Sequence, residues 1–324
     1  MKAAWYEAFG AAGDVLSVGD MDVPEVGPGE VLVRLFASGV NPSDVKLRAG
    51  ARPGAVMAYP RVVPHSDGAG VIEAVGSGVA RDVGERVWIW NGSWQRAFGT
   101  AAEYIVVPSE QAVVLPEGTS FAEGACLGIP AMTAWYALFA EGAIEGQTVL
   151  VTGGAGTVGR YACQMARLGG ARVITTVSSK AKAAHSGAEE WVNYREADVA
   201  DAVMELTGGA GVDRIVDVDF GVNQAASVTL IKPGGVIASY ASAGDMVPAL
   251  QFYPLMFKDV SLRMLIVYQL RGAMRRKGEA ALSRWLEDGA LSHAVVPAGG
   301  LGDVAQAHDL VAAGDKLGSV VLEL

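Results

Sequence analysis

The stretch VTGGAGTVGRYACQMARLGG, Val151 to Gly170, constrains this chain more than any other. TVLVTG (Thr148 to Gly153) is a short apolar, β-branched run that predicts a buried strand. Gly154, Gly156 and Gly159 follow at G-x-G-x-x-G spacing, and GRYACQMARLG then has helical periodicity. In such a frame the first glycine allows a tight turn, the second lets a pyrophosphate approach the main chain, and the third lets helix and strand pack closely. The helix start adds free N–H groups and the positive end of its dipole. The spacing alone says little. With a strand before it and a helix after it, Gly154, Ala155, Gly156, Thr157, Val158 and Gly159 are the expected cradle of a dinucleotide.

The end of the next predicted strand, ARVITTVS (Ala171 to Ser178), bears on which dinucleotide. An NAD site usually places Asp or Glu there for the ribose 2′-hydroxyl. No acid occurs between Gly159 and Glu189; the chain offers Ser178, Ser179, Lys180 and Lys182 instead. Hydroxyls and an ammonium suit a 2′-phosphate, so the expected cofactor is NADP(H). The competing reading of these lysines is a solvated helix start.

The rest of the chain is consistent with a large, two-domain protein. It has 324 residues, 51% hydrophobic and 19% charged, so a sizeable core is available and disorder is not expected. The formal net charge of −10 repels nucleic acid and anionic membrane surfaces. No apolar run is long enough for a membrane span, and MKAAWYEAFG does not read as a secretory signal. Two cysteines, Cys126 and Cys163, do not make a disulfide framework; the expectation is a cytoplasmic protein.

Residues 1 to about 120 read as short strands: GEVLVRLFASGV, GAGVIEAVGSGV, GERVWIW and AAEYIVVP, each bounded by Gly, Pro or Asn. They suggest a compact, barrel-like β domain. After LPEGTSFAEGA the pattern alternates between strand and helix, which predicts an α/β domain with a parallel sheet covered on both faces. Its further strands are WVNY, VDRIVDV, GVIASY and SLRMLIVY; a helix around EAALSRWLEDGAL and a last strand, GSVVLEL, close the chain.

Taken in order, GVNPSDVKLRAG, SDGAGVIEAVGSGV, GIPAMTAWYAL, VTGGAGTVG, NYR at Asn193 to Arg195, GGVIASY and GSVVLEL resemble the quinone oxidoreductase, or zeta-crystallin-like, branch of the medium-chain dehydrogenase/reductase superfamily. The resemblance covers nearly the whole chain. It implies a GroES-like catalytic domain at residues 1–122, completed by 266–324, and a Rossmann nucleotide-binding domain at 123–265, with the active site in the cleft between them. It places Asn41 and Thr133 near the nicotinamide, Ser178, Lys182 and Tyr194 at the 2′-phosphate, and Tyr240, Ser242, Tyr268 and Gly318 along the cofactor. It also implies a homodimer or homotetramer.

Zinc alcohol dehydrogenases of the same superfamily need three Cys, His or carboxylate ligands. The matching cysteine and histidine positions here hold Asn41 and Ser66, Asp67 stands in place of Glu, and His65 is one residue out of step. NGSWQRAFGT lacks the cysteines of a structural zinc lobe. The expectation is no metal, with His185, His293 and His308 as scattered surface residues and both cysteines in the core. A reductase without a Lewis acid suits electron-poor acceptors: a quinone, or an α,β-unsaturated carbonyl. The candidate catalytic residues are Asn41, whose amide can donate to a developing oxyanion, and Lys46, which either faces the acceptor or is ordinary surface.

Three points stay open. Asp219 either narrows substrate choice or points into a loop, and Trp88 to Trp94 either wall the site or fill core. The alternatives in function are an NADPH-binding sensor or structural protein without turnover, and a reductase or alcohol dehydrogenase acting on simple aldehydes or alcohols. A short-chain dehydrogenase is set aside, because no tyrosine has lysine four residues later.

Overall fold

The computed structural model describes residues 1–51 and 54–324. The chain divides into two compact units, Met1–Ile129 with Glu279–Leu324, and Pro130–Gly278.

The first unit begins with the hairpin strands β1 (Lys2–Trp5) and β2 (Ser17–Asp20), separated by helix α1 (Ala12–Val15). The long β3 (Glu30–Val40) leads into α2 (Pro42–Arg48), where Pro42 takes the first helical position and fixes φ in advance. Then come β4 (Asp67–Val75), β5 (Arg86–Ile89), β6 (Tyr104–Pro108), β7 (Ala112–Val114) and α3 (Phe121–Gly124). Strand β3 pairs antiparallel with β4 along one side and with β6 along the first half of the other. Val31, Val33, Leu35, Ile72, Val87, Ile89, Ile105 and Val107 pack into one buried cluster, as the alternation in these strands predicts.

The second unit contains α4 (Met132–Phe139), β8 (Thr148–Val151), α5 (Thr157–Leu168), β9 (Arg172–Val177), α6 (Lys180–Ser186) and β10 (Glu190–Asn193). It continues with α7 (Val199–Leu206), β11 (Val212–Asp217), α8 (Phe220–Leu230), β12 (Ile231–Ser239), α9 (Phe252–Phe257) and β13 (Ser261–Met264). Its six strands run in the order β10-β9-β8-β11-β12-β13, and every pair is parallel. This is the doubly wound arrangement expected from the sequence. The strand order reverses between β8 and β11, the point at which ligands bind such sheets at the strands' carboxyl ends.

Helix α10 (Gly272–Glu287) crosses from one unit's sequence to the other's. The chain then returns to the first sheet through β14 (Val295–Pro297), α11 (Val304–Ala313) and β15 (Ser319–Glu323). Strand β15 pairs with the second half of β3.

One element differs from the sequence reading. The strand expected over SLRMLIVY stops at Met264, and Val267–Gln269 form a 3₁₀ turn. Arg275 is the reason: its buried guanidinium donates to the carbonyls of Leu270 (2.8 Å) and Val267 (3.1 Å), curling the segment. Before α4, Leu127–Ala131 make a π-helical turn around Pro130, which cannot donate into an α-helical ladder.

Candidate functional site

The glycine turn joins β8 to α5. Gly153, not Gly154, carries the left-handed backbone of the turn, with φ +68°. The tight-turn role therefore belongs one residue earlier than the G-x-G-x-x-G spacing assigns it. Gly154 serves packing: a Cβ there would lie 2.0 Å from Thr175 Oγ1 and 3.2 Å from Cys163 Sγ. Gly159 is equally closed, with Gly153 O only 2.3 Å from a Cβ. Gly156 differs. A Cβ there would meet only Gly153 O, at 3.3 Å, so the surface in front of it is open. Ala155 is buried beside Val177 and Ala183. Thr157 opens α5, and Val158 follows in the first turn, where helical amides have no intrahelical acceptor.

A buried network that the sequence reading missed holds this turn from behind. Asp217, at the end of β11, accepts hydrogen bonds from Thr152 Oγ1 (2.9 Å), Asn223 Nδ2 (2.8 Å) and Ser239 Oγ (3.0 Å). Thr152 Oγ1 in turn accepts from the Val218 amide at 2.9 Å. The ends of β8, β11 and β12 are thus tied together at the switch point. Burial pushes the Asp217 carboxyl up, and these donors oppose that. The recoverable signal was a Thr ending one central strand and an Asp ending the next.

At the end of β9, Ser178 is buried, and Ser179 caps α6 by accepting the Lys182 amide at 3.3 Å. Lys182 is half-buried in the first turn of α6, and Tyr194, just past β10, is 50% exposed. The adjacent ends of β9 and β10 therefore bring the hydroxyls, the lysine and the tyrosine to one edge of the sheet. Tyr240 follows β12; burial, with Asp217 and Cys163 nearby, pushes its hydroxyl up. Ser242 accepts from the Gly221 amide at 3.0 Å and donates to the Asp245 carbonyl. Tyr268 is buried in the 3₁₀ turn, and Thr133 is buried in α4. Asp219 lies in the loop: its carboxylate accepts the Gly244 amide at 2.9 Å, ahead of α8.

In the other unit, Asn41 caps α2. It is buried, its backbone N–H donates to Asp44 Oδ2 and its Nδ2 donates to Asp67 Oδ2, both at 2.8 Å. Desolvation pushes the buried Asp44 carboxyl up to about 7. Lys46 is exposed and forms no ion pair among the described residues. Ser66 Oγ is hydrogen-bonded to Ser93 Oγ at 2.8 Å. Gly318, at the entry to β15, has φ +138°, and a Cβ on it would lie 2.4 Å from Ala294 O. Trp88 and Trp90 are core, and both cysteines are free and buried.

His308 corrects an expectation. It is not a surface residue: it is 0% exposed, and its Nε2 lies 2.9 Å from His65 Nε2. Its place on the inner face of α11, beside Ala307 and Val311, puts it in the core.

Residues 27–117 match the family described as "Alcohol dehydrogenase GroES-like domain", and residues 157–285 match the family described as "Zinc-binding dehydrogenase". The chain is 31% identical to a quinone oxidoreductase of Sus scrofa over 94% of its own length and 92% of the relative's. The chain belongs to the quinone oxidoreductase branch of the medium-chain dehydrogenase/reductase superfamily. Among solved structures of this branch, a Pseudomonas syringae quinone oxidoreductase superposes with a TM-score of 0.87 at 30% identity, over 100% of this chain and 99% of that one. A mycobacterial protein complexed with NADPH superposes with a TM-score of 0.87 at 31% identity, over 100% of both chains. The family resemblance and the two-part GroES-like and Rossmann fold expected from the sequence are therefore established.

Proposed function

We propose that this chain is a zinc-independent, NADPH-dependent oxidoreductase that delivers hydride to a quinone or an α,β-unsaturated carbonyl. The observation that carries the reading is the pairing of an open Gly156 turn with an acid-free β9 end bearing Ser178, Ser179 and Lys182. An anion fits the first, and a phosphorylated ribose fits the second. The mycobacterial structure, complexed with NADPH, supports the same assignment.

The residues do not fit the zinc that the second family description implies. The positions that match metal ligands hold an amide, Asn41, and a hydroxyl, Ser66; both are already engaged, with Asp67 and Ser93. Zinc is held by thiolates, imidazoles and carboxylates. Among the described residues no group of three or more His, Cys, Asp or Glu could hold a metal.

When bound, the nicotinamide supplies the hydride. The amides of the first turn of α5 would hold the diphosphate, with Ala155, Thr157 and Val158 shaping its seat. Ser178, Ser179, Lys182 and Tyr194 would hold the 2′-phosphate, and Thr133, Tyr240, Ser242, Tyr268 and Gly318 would complete the cofactor's surroundings. Asn41 would donate an amide hydrogen to the oxyanion that develops on the acceptor, worth about 10²-fold in rate for such a donor. Lys46 would attract an acidic acceptor. The reading includes a reducing, cytoplasmic setting, supported by two buried free thiols and by the lack, among the described residues, of any helix long and apolar enough to cross a membrane. It also includes a homodimer or homotetramer.

The test is NADPH and NADH oxidation at 340 nm against a panel of quinones, enones and simple aldehydes, with chelator and zinc controls. Turnover of quinones or enones with NADPH, unaffected by chelator, is expected. NADPH binding without oxidation by any acceptor would favour the sensor reading. Asn41→Ala is expected to lower kcat by about 10²-fold, as for loss of one oxyanion donor.

A further inference from the structure

The buried polar groups behind Asn41 form a chain whose direction the structure dictates. Thr100 Oγ1 lies 2.6 Å from the Asp67 main-chain oxygen, which can only accept, so Thr100 donates. Ser38 Oγ is 2.9 Å from Thr100 Oγ1; with the Thr100 hydrogen committed, Ser38 donates to Thr100. His65 Nδ1 is 2.9 Å from Ser38 Oγ, so His65 carries its hydrogen on Nδ1 and donates. A neutral His65 then has a bare Nε2, and His308 Nε2, 2.9 Å away, must be the donor. That leaves His308 Nδ1 as a bare acceptor, and it is a buried nitrogen with no hydrogen-bond partner among the described residues. Each hydrogen points the same way, from α11 to the start of β4.

Two further observations show that the arrangement is held firmly. His65 sits at φ +75°, a left-handed conformation that side chains other than glycine rarely adopt, and such strain persists only where the surroundings over-determine it. The two imidazoles also meet end to end and near-coplanar, with centroids 5.1 Å apart and planes 27° apart, as an in-plane N–H···N hydrogen bond requires. The chain ends on a carbonyl, which cannot relay a proton, so it is static. What it fixes is the first residue of β4, Asp67, whose carboxylate holds the Asn41 amide.

We infer that His65 and His308 are positioning residues for the hydride acceptor's site: the one-way chain His308–His65–Ser38–Thr100 locks Asp67, and Asp67 aims the Asn41 amide. This rests on the reading of Asn41 as the donor to the acceptor.

Two measurements on the full chain test it. In ¹⁵N-edited spectra of the wild-type protein at neutral pH, His65 is expected as the Nδ1–H tautomer and His308 as the Nε2–H tautomer. The opposite tautomer at either residue, or a mixture, overturns the chain. In kinetics, His308→Leu is expected to lower kcat about tenfold, a fraction of what a 1 Å misplacement can cost, with KM for NADPH within about twofold. His308→Gln, which retains an Nε2 donor, is expected to recover most of the loss. The Asn41→Ala/His308→Leu pair is expected to be no slower than Asn41→Ala alone; multiplicative losses would overturn positioning through Asn41. If His308→Leu does not fold, the wild-type tautomers decide. If Asn41→Ala leaves kcat unchanged, the reading of Asn41 fails, and the tautomers still judge the chain separately.

Discussion

Thr152 and Asp217 meet across 2.9 Å at the carboxyl ends of two neighbouring central strands, and the Thr152 hydroxyl also receives the Val218 amide. One side chain thereby sets the spacing of the turn that faces the ligand. Thr152→Val keeps the volume and removes both hydrogen bonds, leaving the buried carboxylate short of a donor. The expected cost is about 1–3 kcal/mol in stability, read by urea unfolding, with weaker NADPH binding by fluorescence titration. A variant as stable and as tightly binding as wild type would show that Thr152 merely fills space.

The glycines of the turn separate by what a methyl group would meet. Gly156→Val is expected to fold, since only Gly153 O lies near, and to lose NADPH binding. Gly159→Ala is expected to destabilise the unit itself, because the added carbon would lie 2.3 Å from Gly153 O. Melting temperature and titration together distinguish the two. Undiminished NADPH affinity in Gly156→Val would place the nucleotide elsewhere.

Selection of the phosphorylated ribose is assigned to the β9 end. Lys182→Ala is expected to raise Kd for NADPH by about tenfold or more while leaving NADH within about twofold, since a charge-assisted hydrogen bond contributes about 1.5–3 kcal/mol. Equal weakening of both cofactors would show that Lys182 acts on the helix and not on the phosphate.

The histidine pair works against the folded state in acid. Burial, with Arg48 adding to it, pulls His308 down to about 4 from its ordinary 6.5, and burial with His308 alongside pulls His65 well below the same value. At these two histidines the unfolded chain therefore binds more protons than the folded one below pH 6.5, while buried Asp44, pushed up to about 7, takes up a proton in the folded chain and opposes them. The stabilisation is fully present above that pH and is lost as pH falls toward 4. For His308 alone the loss is about 3 kcal/mol. Denaturation curves of wild type and His308→Gln at pH 7 and pH 4.5 check it: Asp44 contributes equally to both, so the variant, which does not titrate at 308, is expected to lose less stability than wild type over this interval.

Strand β13 is the end strand of the parallel sheet; its last residue, Met264, is 60% exposed, and the segment that leads into it exposes Phe257 (81%), Tyr253 (65%) and Val247 (89%). A terminal strand and exposed apolar side chains in the same unit suit association with a second copy, which would pair the strand and cover apolar surface. Phe257→Glu with Met264→Glu is expected to convert a dimer to a monomer in light scattering. A wild-type protein that runs as a monomer at micromolar concentration would remove the homodimer from the proposal.

The strands and the nucleotide turn were legible because their signals are local: alternation, β-branched runs and glycines at fixed offsets. GEVLVRLFASGV became β3, and TVLVTG with GRYACQMARLG became β8 and α5, within a few residues. The role of each glycine was not legible. Which one carries positive φ depends on what Thr175 and Gly153 O do across the turn, and spacing does not report that. His308 was misread for a related reason. A single histidine in VAQAHDLVAA gives no sign that α11 packs back onto a segment more than two hundred residues earlier. Asp217 and Arg275 escaped likewise, because a buried charge is recognisable only by its partners.

The second half of β3 is flanked by β15, a segment read from the message long after β3 itself. Until Ser319–Glu323 has been synthesised, residues Ala37–Val40 have no neighbour on that side, whereas Pro130–Gly278 is one continuous stretch and can assemble as it emerges from the ribosome. The GroES-like unit is thus the last to mature, and a nascent chain would hold its six-stranded parallel sheet before the first unit's sheet is complete.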